Sequence, residues 1–342
     1  MHSVVGLAGK ALYEQRRIPE AMACFQKALA LGEDDRTHAF ERWACWMLLG
    51  KYECAWKEAD RSAPPWQGDI RRPRHVLIRC LRGLGDAIQF LRYVPLLSSR
   101  CARVTVHAPD SLHPLIAAVP GVGAVNSRDQ PADGLMHDCE IECSHLPYAL
   151  RTTIETLPDP IRVPEADAPP GCLRAIREAS VGTVRTGIVW SAGDWNPARS
   201  IPLELLMAHL PATGITLISL QRACGRKPES VSVPAKIINA ETGPANPLAT
   251  AAIIAELDLV VTVDTMVAHL AGSMGKPVWT ILPYAADWRW MLGRTSPWYP
   301  SMRLFRQASP GDWAAVLQEV GSELEEFSQA AYLRTMRAQN SA

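Results

Sequence analysis

Asp264, Thr265 and His269 bring together a carboxylate, an adjacent hydroxyl and an imidazole about one helical turn further on. They sit in LDLVVTVDTMVAHLAGSMGKPVWTIL, residues 257–282. The apolar run at 259–263 predicts a buried strand, Asp264-Thr265 a sharp turn, and the residues after it a short helix carrying His269. Gly275-Lys276-Pro277 ends that helix, and 278–282 reads as a second buried strand of a parallel sheet covered on both faces. In such β-α-β units ligands sit outside the carboxyl ends of the strands, where helix N-termini offer unpaired N–H groups. Asp264 or Thr265 can cap the helix, and His269 projects from the same end. The grouping suits an anion, a nucleotide diphosphate foremost. A plain N-cap beside a core histidine fits the same residues.

Other strand ends deliver polar groups in the same manner. A strand at 75–80 runs into Gly83-Leu84-Gly85-Asp86 and a helix expected over 87–97, with the glycines allowing a tight turn. Asp86 falls at the helix N-terminus, as a cap or as a carboxylate facing an interdomain cleft, where it can act as a base. A strand at 186–190 leads to Ser191-Ala192-Gly193, with Arg199 just before a helix starting at Ile201. Gln221 stands past the strand at 215–220. Further strands are expected at 103–107, 122–125 and 236–239, and helices at 112–119, 248–257 and 313–327. One half of this layout offers Asp86. The other offers Arg199, the helix N-terminus at Thr265, and His269. Glycosyl transfer from a nucleotide sugar divides its labour this way: a base takes the acceptor proton, while cations and helix dipoles meet the departing diphosphate. No DxD-type acid pair stands at a strand end, so a metal-free scheme is expected.

The elements that must position these groups follow from the rest of the chain. Its 342 residues, 48% hydrophobic and 20% charged, allow two ordinary domains plus a small extra element. Zero net charge supplies no global field for nucleic acid or an acidic membrane. Nine scattered cysteines, an absent signal-like N-terminus and no long apolar stretch lead to an expectation of a cytoplasmic protein. Residues 1–62 read as helical. Gly9, Ala21, Phe25 and Ala28 match the packing positions of a tetratricopeptide unit, and that repeat's period carries Ile18 onto Tyr52 and Ala21 onto Ala55. An ordinary helical hairpin is the alternative. So short an array must dock on the next domain or belong to a longer one. Residues 62–68 are a linker, and the proline-rich 158–170 a hinge. His137, Cys139, Cys143 and His145 share one side of an extended segment but lack the tight spacing of a zinc site. The tryptophans of Asp287–Trp290 and Pro297–Pro300 suit stacking on a sugar or gap-filling between helices.

GLGDAIQFLRYVPLL, RSIPLELL and DLVVTVDTMVAHLAGSMGKPVWTILPYAADWRWMLGR with SPWYPSMRLFRQ resemble bacterial tetratricopeptide-containing glycosyltransferases, relatives of the ADP-heptose:lipopolysaccharide heptosyltransferases. The resemblance runs from about His75 to Phe327. It implies a GT-B α/β fold of two doubly wound Rossmann-like domains after a short all-helical segment. Expected boundaries are 1–62 for the helical segment, 74–165 for the acceptor domain and 166–330 for the nucleotide-sugar domain. It implies Asp86 as catalytic base with Arg199 near the phosphates, and Gly85, Ser191, Gln221, Asp264, Thr265 and His269 around the nucleotide. The implied partners are a nucleotide sugar and a protein or glycan acceptor, with protein contacts through the helical repeats and no metal or separate cofactor. Residues 194–198 hold no lysine, which the heptosyltransferases carry before the RSIPL-like segment, so leaving-group stabilisation falls to Arg199. Rival readings are a sugar-nucleotide epimerase of the same fold and a non-catalytic scaffold with a degenerate transferase half. A serine hydrolase is set aside, because Ser273 in Ala271–Gly275 falls at a helix end rather than after a strand.

Overall fold

The computed structural model describes residues 4–33, 38–61, 63–71, 73–130, 136–168, 170–193, 196–222, 237–240 and 246–339. Four helices come first: α1 (Val4–Glu14), α2 (Ile18–Ala30), α3 (Ala39–Leu48) and α4 (Tyr52–Ala59). α1 and α2 pack as one hairpin, α3 and α4 as another. Gly9 lets Phe25 of α2 pack against α1; a Cβ there would fall 2.6 Å from a Phe25 ring carbon. Arg17 and Lys51, which precede α2 and α4, share one backbone conformation (φ −84°, ψ 61° and φ −89°, ψ 61°). This helical segment touches both later halves of the chain. Arg16 donates from Nε to the Tyr284 carbonyl at 3.4 Å, and the Tyr284 hydroxyl donates to the Gln15 carbonyl. On the other side Trp56 Nε1 donates to the Thr152 carbonyl at 2.7 Å, and Arg151 Nη1 to Asp60 Oδ2 at 3.0 Å.

Two sheets follow. The first holds β1 (Trp66–Gly68), β2 (His75–Arg79), β3 (Arg103–Ala108), β4 (Ala124–Ser127) and β5 (Cys139–Glu142), in the order β1-β5-β2-β3-β4. All pairings are parallel except β1 with β5. Its helices are α5 (Leu84–Phe90), α6 (Val94–Ser98), α7 (His113–Ala117) and α8 (Leu146–Ala149). The second sheet holds β6 (Val184–Val189), β7 (Ile215–Ser219), β8 (Ile237–Asn239), β9 (Leu259–Val263), β10 (Val278–Leu282) and β11 (Met302–Arg306). It is wholly parallel, in the order β11-β10-β9-β6-β7-β8. Its helices are α9 (Pro170–Ala179), α10 (Leu203–His209), α11 (Pro247–Ala255), α12 (Met266–Ser273) and α13 (Trp313–Gln339). β9, β10 and β7 are buried at every position, as the continuous apolar runs require.

Both strand orders reverse direction at a central strand, between β2 and β5 in one sheet and between β6 and β9 in the other. Such a switch point opens a crevice at the carboxyl ends of the strands. One apolar core runs between the sheets, with Phe90 and Ile88 of α5, Ala268 and Leu270 of α12, and Trp290, Trp298 and Tyr299 all fully buried. The tryptophans of the late loops therefore fill the space between packed elements; Phe90 and Trp298 meet edge-on at 5.9 Å. Among the described residues no helix is long and apolar enough to cross a membrane.

Several boundaries differ from expectation. The helix expected over 87–97 begins at Leu84, because Gly83 is already the extended residue before it (φ −70°, ψ 160°). It breaks into a 3-10 turn at Leu91–Tyr93, because the Pro95 ring clashes with the carbonyl four residues earlier. The strand expected at 122–125 starts two residues later, after Gly121 at φ +90°. The 62–68 linker contains β1, which pairs with β5 while Trp66 packs on Tyr148. Ser62 of that linker, Arg72, Asp194, Trp195 and Lys236 lie outside the described residues. Cys139 and Cys143 are buried in the core, and His137 pairs with Glu140 at 3.3 Å.

Candidate active site

β2 carries the chain to Gly83, whose extended backbone turns it into α5. Asp86 occupies the first turn of α5, and its Oδ2 accepts from the Gly83 N–H at 3.0 Å. Its Oδ1 faces Arg289 Nη1 at 2.8 Å. Both carboxylate oxygens are thus held by donors, which fixes the orientation of the group.

Arg289 comes from the 3-10 turn Trp288–Trp290 that follows β10. Asp287 caps that turn by accepting from the Arg289 N–H at 3.0 Å. The same Asp287 oxygen takes Arg289 Nε at 2.9 Å, while Nη1 also donates to Gln89 Oε1 at 2.9 Å. Arg306 Nη2 latches the turn from behind, donating to the Met291 carbonyl at 2.7 Å. Met291 sits at φ 48°, ψ −151°, a conformation that side chains rarely adopt. Burial pushes the Arg289 guanidinium down, but Asp287, Asp86 and Asp264 around it outweigh that and hold it above the ordinary arginine range.

On the second sheet, β9 delivers Asp264 and Thr265. Thr265 is the N-cap of α12, its Oγ1 accepting from the Val267 N–H at 3.3 Å. Asp264 lies just before the cap and is buried; its carbonyl accepts from Arg199 Nη1 at 2.9 Å. Its carboxylate lies 3.7 Å from Arg199 Nη1 and 4.0 Å from His269 Nε2. Burial raises the pKa of this carboxyl even with Arg289 nearby. His269 is buried, stacked on Trp290 at 5.3 Å, with Nδ1 3.0 Å from the Tyr299 hydroxyl. Burial first, then Arg289 and Arg92, pull its pKa well below the usual histidine value, so the ring is neutral at pH 7. Gly85 allows this packing: a Cβ there would fall 2.6 Å from His269 Cδ2 and 3.4 Å from the Met266 Cα.

The turns after β6 and β7 complete the wall. Gln221 Oε1 accepts from the Ser191 N–H at 2.9 Å and the Trp190 N–H at 3.2 Å, and its Nε2 donates to the Ser191 carbonyl at 3.2 Å. Its amide thus stitches the ends of two strands together.

Asp86, Arg199, Gly85, Ser191, Gln221, Asp264, Thr265 and His269, all singled out in the sequence, line one cavity of about 920 Å³. Four guanidiniums, from Arg82, Arg199, Arg222 and Arg289, face three carboxylates there, which together with the open N-terminus of α12 favours an anion. A second cavity of about 1060 Å³ lies at the opposite end of the second sheet, between α13 and the start of β6. No parallel-strand carboxyl ends open onto it. Sequence reasoning missed Arg289, Asp287 and Gln89. The available signal was an acid and an arginine two residues apart, in the loop directly after the strand next to β9; their aromatic neighbours drew the reading toward packing.

No protein-family model matches the chain. Protein FlbA of Caulobacter vibrioides is 24% identical over 360 aligned positions, which cover 91% of this chain and 56% of FlbA. The chain thus spans little more than half the length of that relative. The solved glycosyl transferase family 9 structure from Veillonella parvula superposes with a TM-score of 0.53 at 11% identity, covering 78% of this chain and 99% of that one. The ADP-heptose lipopolysaccharide heptosyltransferase II of E. coli gives 0.51 at 14% identity, covering 77% of this chain and all (100%) of that one. Over that share of its length, this chain has the two-sheet, GT-B-like fold of the heptosyltransferase structures.

Proposed function

We propose that this protein is a glycosyltransferase that moves a sugar from a nucleoside-diphosphate donor to a hydroxyl acceptor with inversion. The observation that carries the reading is that Asp86, from the β2–α5 turn, and the Thr265-capped N-terminus of α12 line the same cavity. The diphosphate rests against the α12 N–H groups and Arg199. Asp86 takes the proton of the acceptor hydroxyl as its oxygen attacks the anomeric carbon. The bond from that carbon to the phosphate oxygen breaks, and the nucleoside diphosphate leaves with the electron pair. Its growing charge is met by the helix dipole and guanidiniums, which makes a metal unnecessary to this scheme. Gly85, Ser191, Gln221, Asp264 and His269 shape the pocket around the donor.

We assign residues 1–62 to two tetratricopeptide-like units, the second of them degenerate, 74–165 to an acceptor domain and 166–330 to a donor domain. The matching backbone before α2 and α4 supports the repeat, as does the full burial of Ala21 and Ala55. Eight described cysteines with free thiols suit a reducing compartment, the cytoplasm. ADP-heptose is the first donor to test, given the E. coli neighbour.

A thermal-shift screen against ADP, UDP, GDP and their sugars is expected to raise the Tm with one base. Asp86→Asn is then expected to bind that donor normally and to lose transfer by on the order of 10²-fold or more. An epimerase would isomerise the donor without acceptor. A decayed scaffold would leave Asp86→Asn indistinguishable from wild type.

A further inference from the structure

The loop from Tyr284 to Met291 supplies Arg289 to Asp86 on its inner side and meets the helical segment on its outer side. Arg16, in the turn between α1 and α2, donates from Nε to the Tyr284 carbonyl at 3.4 Å and from Nη2 to the Ala286 carbonyl. Trp43 of α3 meets Trp288 edge-on at 5.4 Å, and Trp288 in turn stacks on Phe90 of α5 at 6.4 Å. Gly50, between α3 and α4, faces the end of the loop: a Cβ there would fall 3.7 Å from Met291 Cε and 2.8 Å from Ile154 Cδ1 of the first half. Inside, Arg289 Nη1 reaches Asp86 at 2.8 Å and Gln89 at 2.9 Å. The loop is thus held between the helical segment and the helix that carries Asp86. Backbone strain marks the same seam. Among the described residues, the non-glycine positions with positive φ are Arg16 (58°), Arg151 (55°) and Met291 (48°). Arg16 and Met291 lie at the two ends of the loop's contact with the helices, and Arg151 bonds Asp60 of the helical segment at 3.0 Å. Such conformations persist where the surroundings over-determine them, and they gather where geometry serves function.

We propose that the helical segment braces the catalytic base: Arg16 and Trp43 are positioning residues that hold the 284–291 loop and, through Arg289, fix the direction of the Asp86 carboxylate. The inference rests on the transferase reading above, which makes Asp86 the base. A base works only within a hydrogen bond of the proton it takes. A displacement of about 1 Å passed along this route therefore costs turnover, on the order of 10²-fold at the extreme. Neither Arg16 nor Trp43 lines the donor cavity, so the loss falls on turnover and not on donor binding.

The test uses the full chain. Arg16→Met and Trp43→Ala remove the two contacts, whereas Arg16→Lys and Trp43→Phe keep a donor and a ring. Without ligand, amide exchange at 287–291 and at 83–86 is expected to be about tenfold faster in the first pair than in wild type, with the central strands of both sheets unchanged. With ADP-heptose as probe donor and water as acceptor, ADP release by the first pair is expected to fall about tenfold in kcat, while the donor KM moves less than about twofold. The second pair regains most of that loss. Arg289→Lys checks the route: its loss and that of Trp43→Ala should not multiply in the double variant. Arg16→Met keeps the test open if Trp43→Ala does not fold. Unchanged exchange at 83–86, a raised donor KM with unaltered kcat, or losses that multiply in full would overturn the brace. A wild type that releases no ADP, while exchange in the variants responds as expected, would sink the transferase reading and leave the coupling of the helices to Asp86 standing.

Discussion

The β2–α5 and β9–α12 turns are built alike, each a buried strand, a tight turn, an aspartate and a helix start, yet they place that aspartate differently. In the first, the aspartate lies inside the helix, and its carboxylate reaches back to Gly83 and across to Arg289. In the second, the aspartate lies before the cap and is buried, and Thr265 does the capping. A shift of the acid by a few positions along the same turn therefore decides whether it sits within the helix or before its cap. Both turns bring a carboxylate to the cavity, but only in the second does a separate residue, Thr265, cap the helix start. The proposed base and the proposed anion seat would thereby come from a single architecture used twice.

The comparison breaks most severely at Arg289, which binds Asp86 across the cavity. Arg289→Ala leaves buried and half-buried carboxylates without their cation and is expected to lower stability by about 3 kcal/mol, read from urea midpoints. A fall under about 1 kcal/mol would mean that the pair does not tie the two turns. Gly85→Ala tests how closely they pack: its methyl would meet a His269 ring pinned by Tyr299 and Trp290, at an expected loss of about 2 kcal/mol. An unchanged Tm would show that α5 and α12 can separate.

His269 gives the comparison a pH signature. Its folded pKa lies below the ordinary 6.5, so its contribution is complete above that value and is lost as pH falls toward the folded pKa. The slope from one proton is at most about 1.4 kcal/mol per pH unit. Asp264, whose pKa is raised, acts in the opposite sense, gaining stability as pH falls through its folded value toward the carboxylate range. His145, also lowered by burial, adds to the histidine slope. His269→Gln is expected to flatten the stability profile between pH 7 and 5.5; an unaltered profile would place the titration elsewhere. The smallest effect belongs to Thr265→Val, which keeps the shape but removes the cap, at about 1 kcal/mol in thermal unfolding. A neutral outcome would reassign the cap.

Much of the second sheet was legible because its strands are buried on both faces. The runs at 259–263 and 278–282 have the bounds read from the sequence, and Thr265 caps as its type suggests. The first sheet was harder. Its helices are short and carry prolines at 95 and 114, so helical periodicity ran through a break at Leu91–Tyr93 and through a late start at His113. The candidate site was legible as far as strand ends could be found. Arg289 was hidden, because its role depends on a turn latched by Arg306 and on an aspartate about 200 residues away in sequence, neither of which local pattern records.

These two turns are proposed to hold one nucleoside diphosphate between them in a single cavity. Amide hydrogen exchange with and without saturating nucleotide, using the base found by thermal shift, tests it most directly. Slowed exchange is expected at both 83–86 and 265–268. Binding that protects neither turn, or no binding by ADP, UDP or GDP, would contradict it.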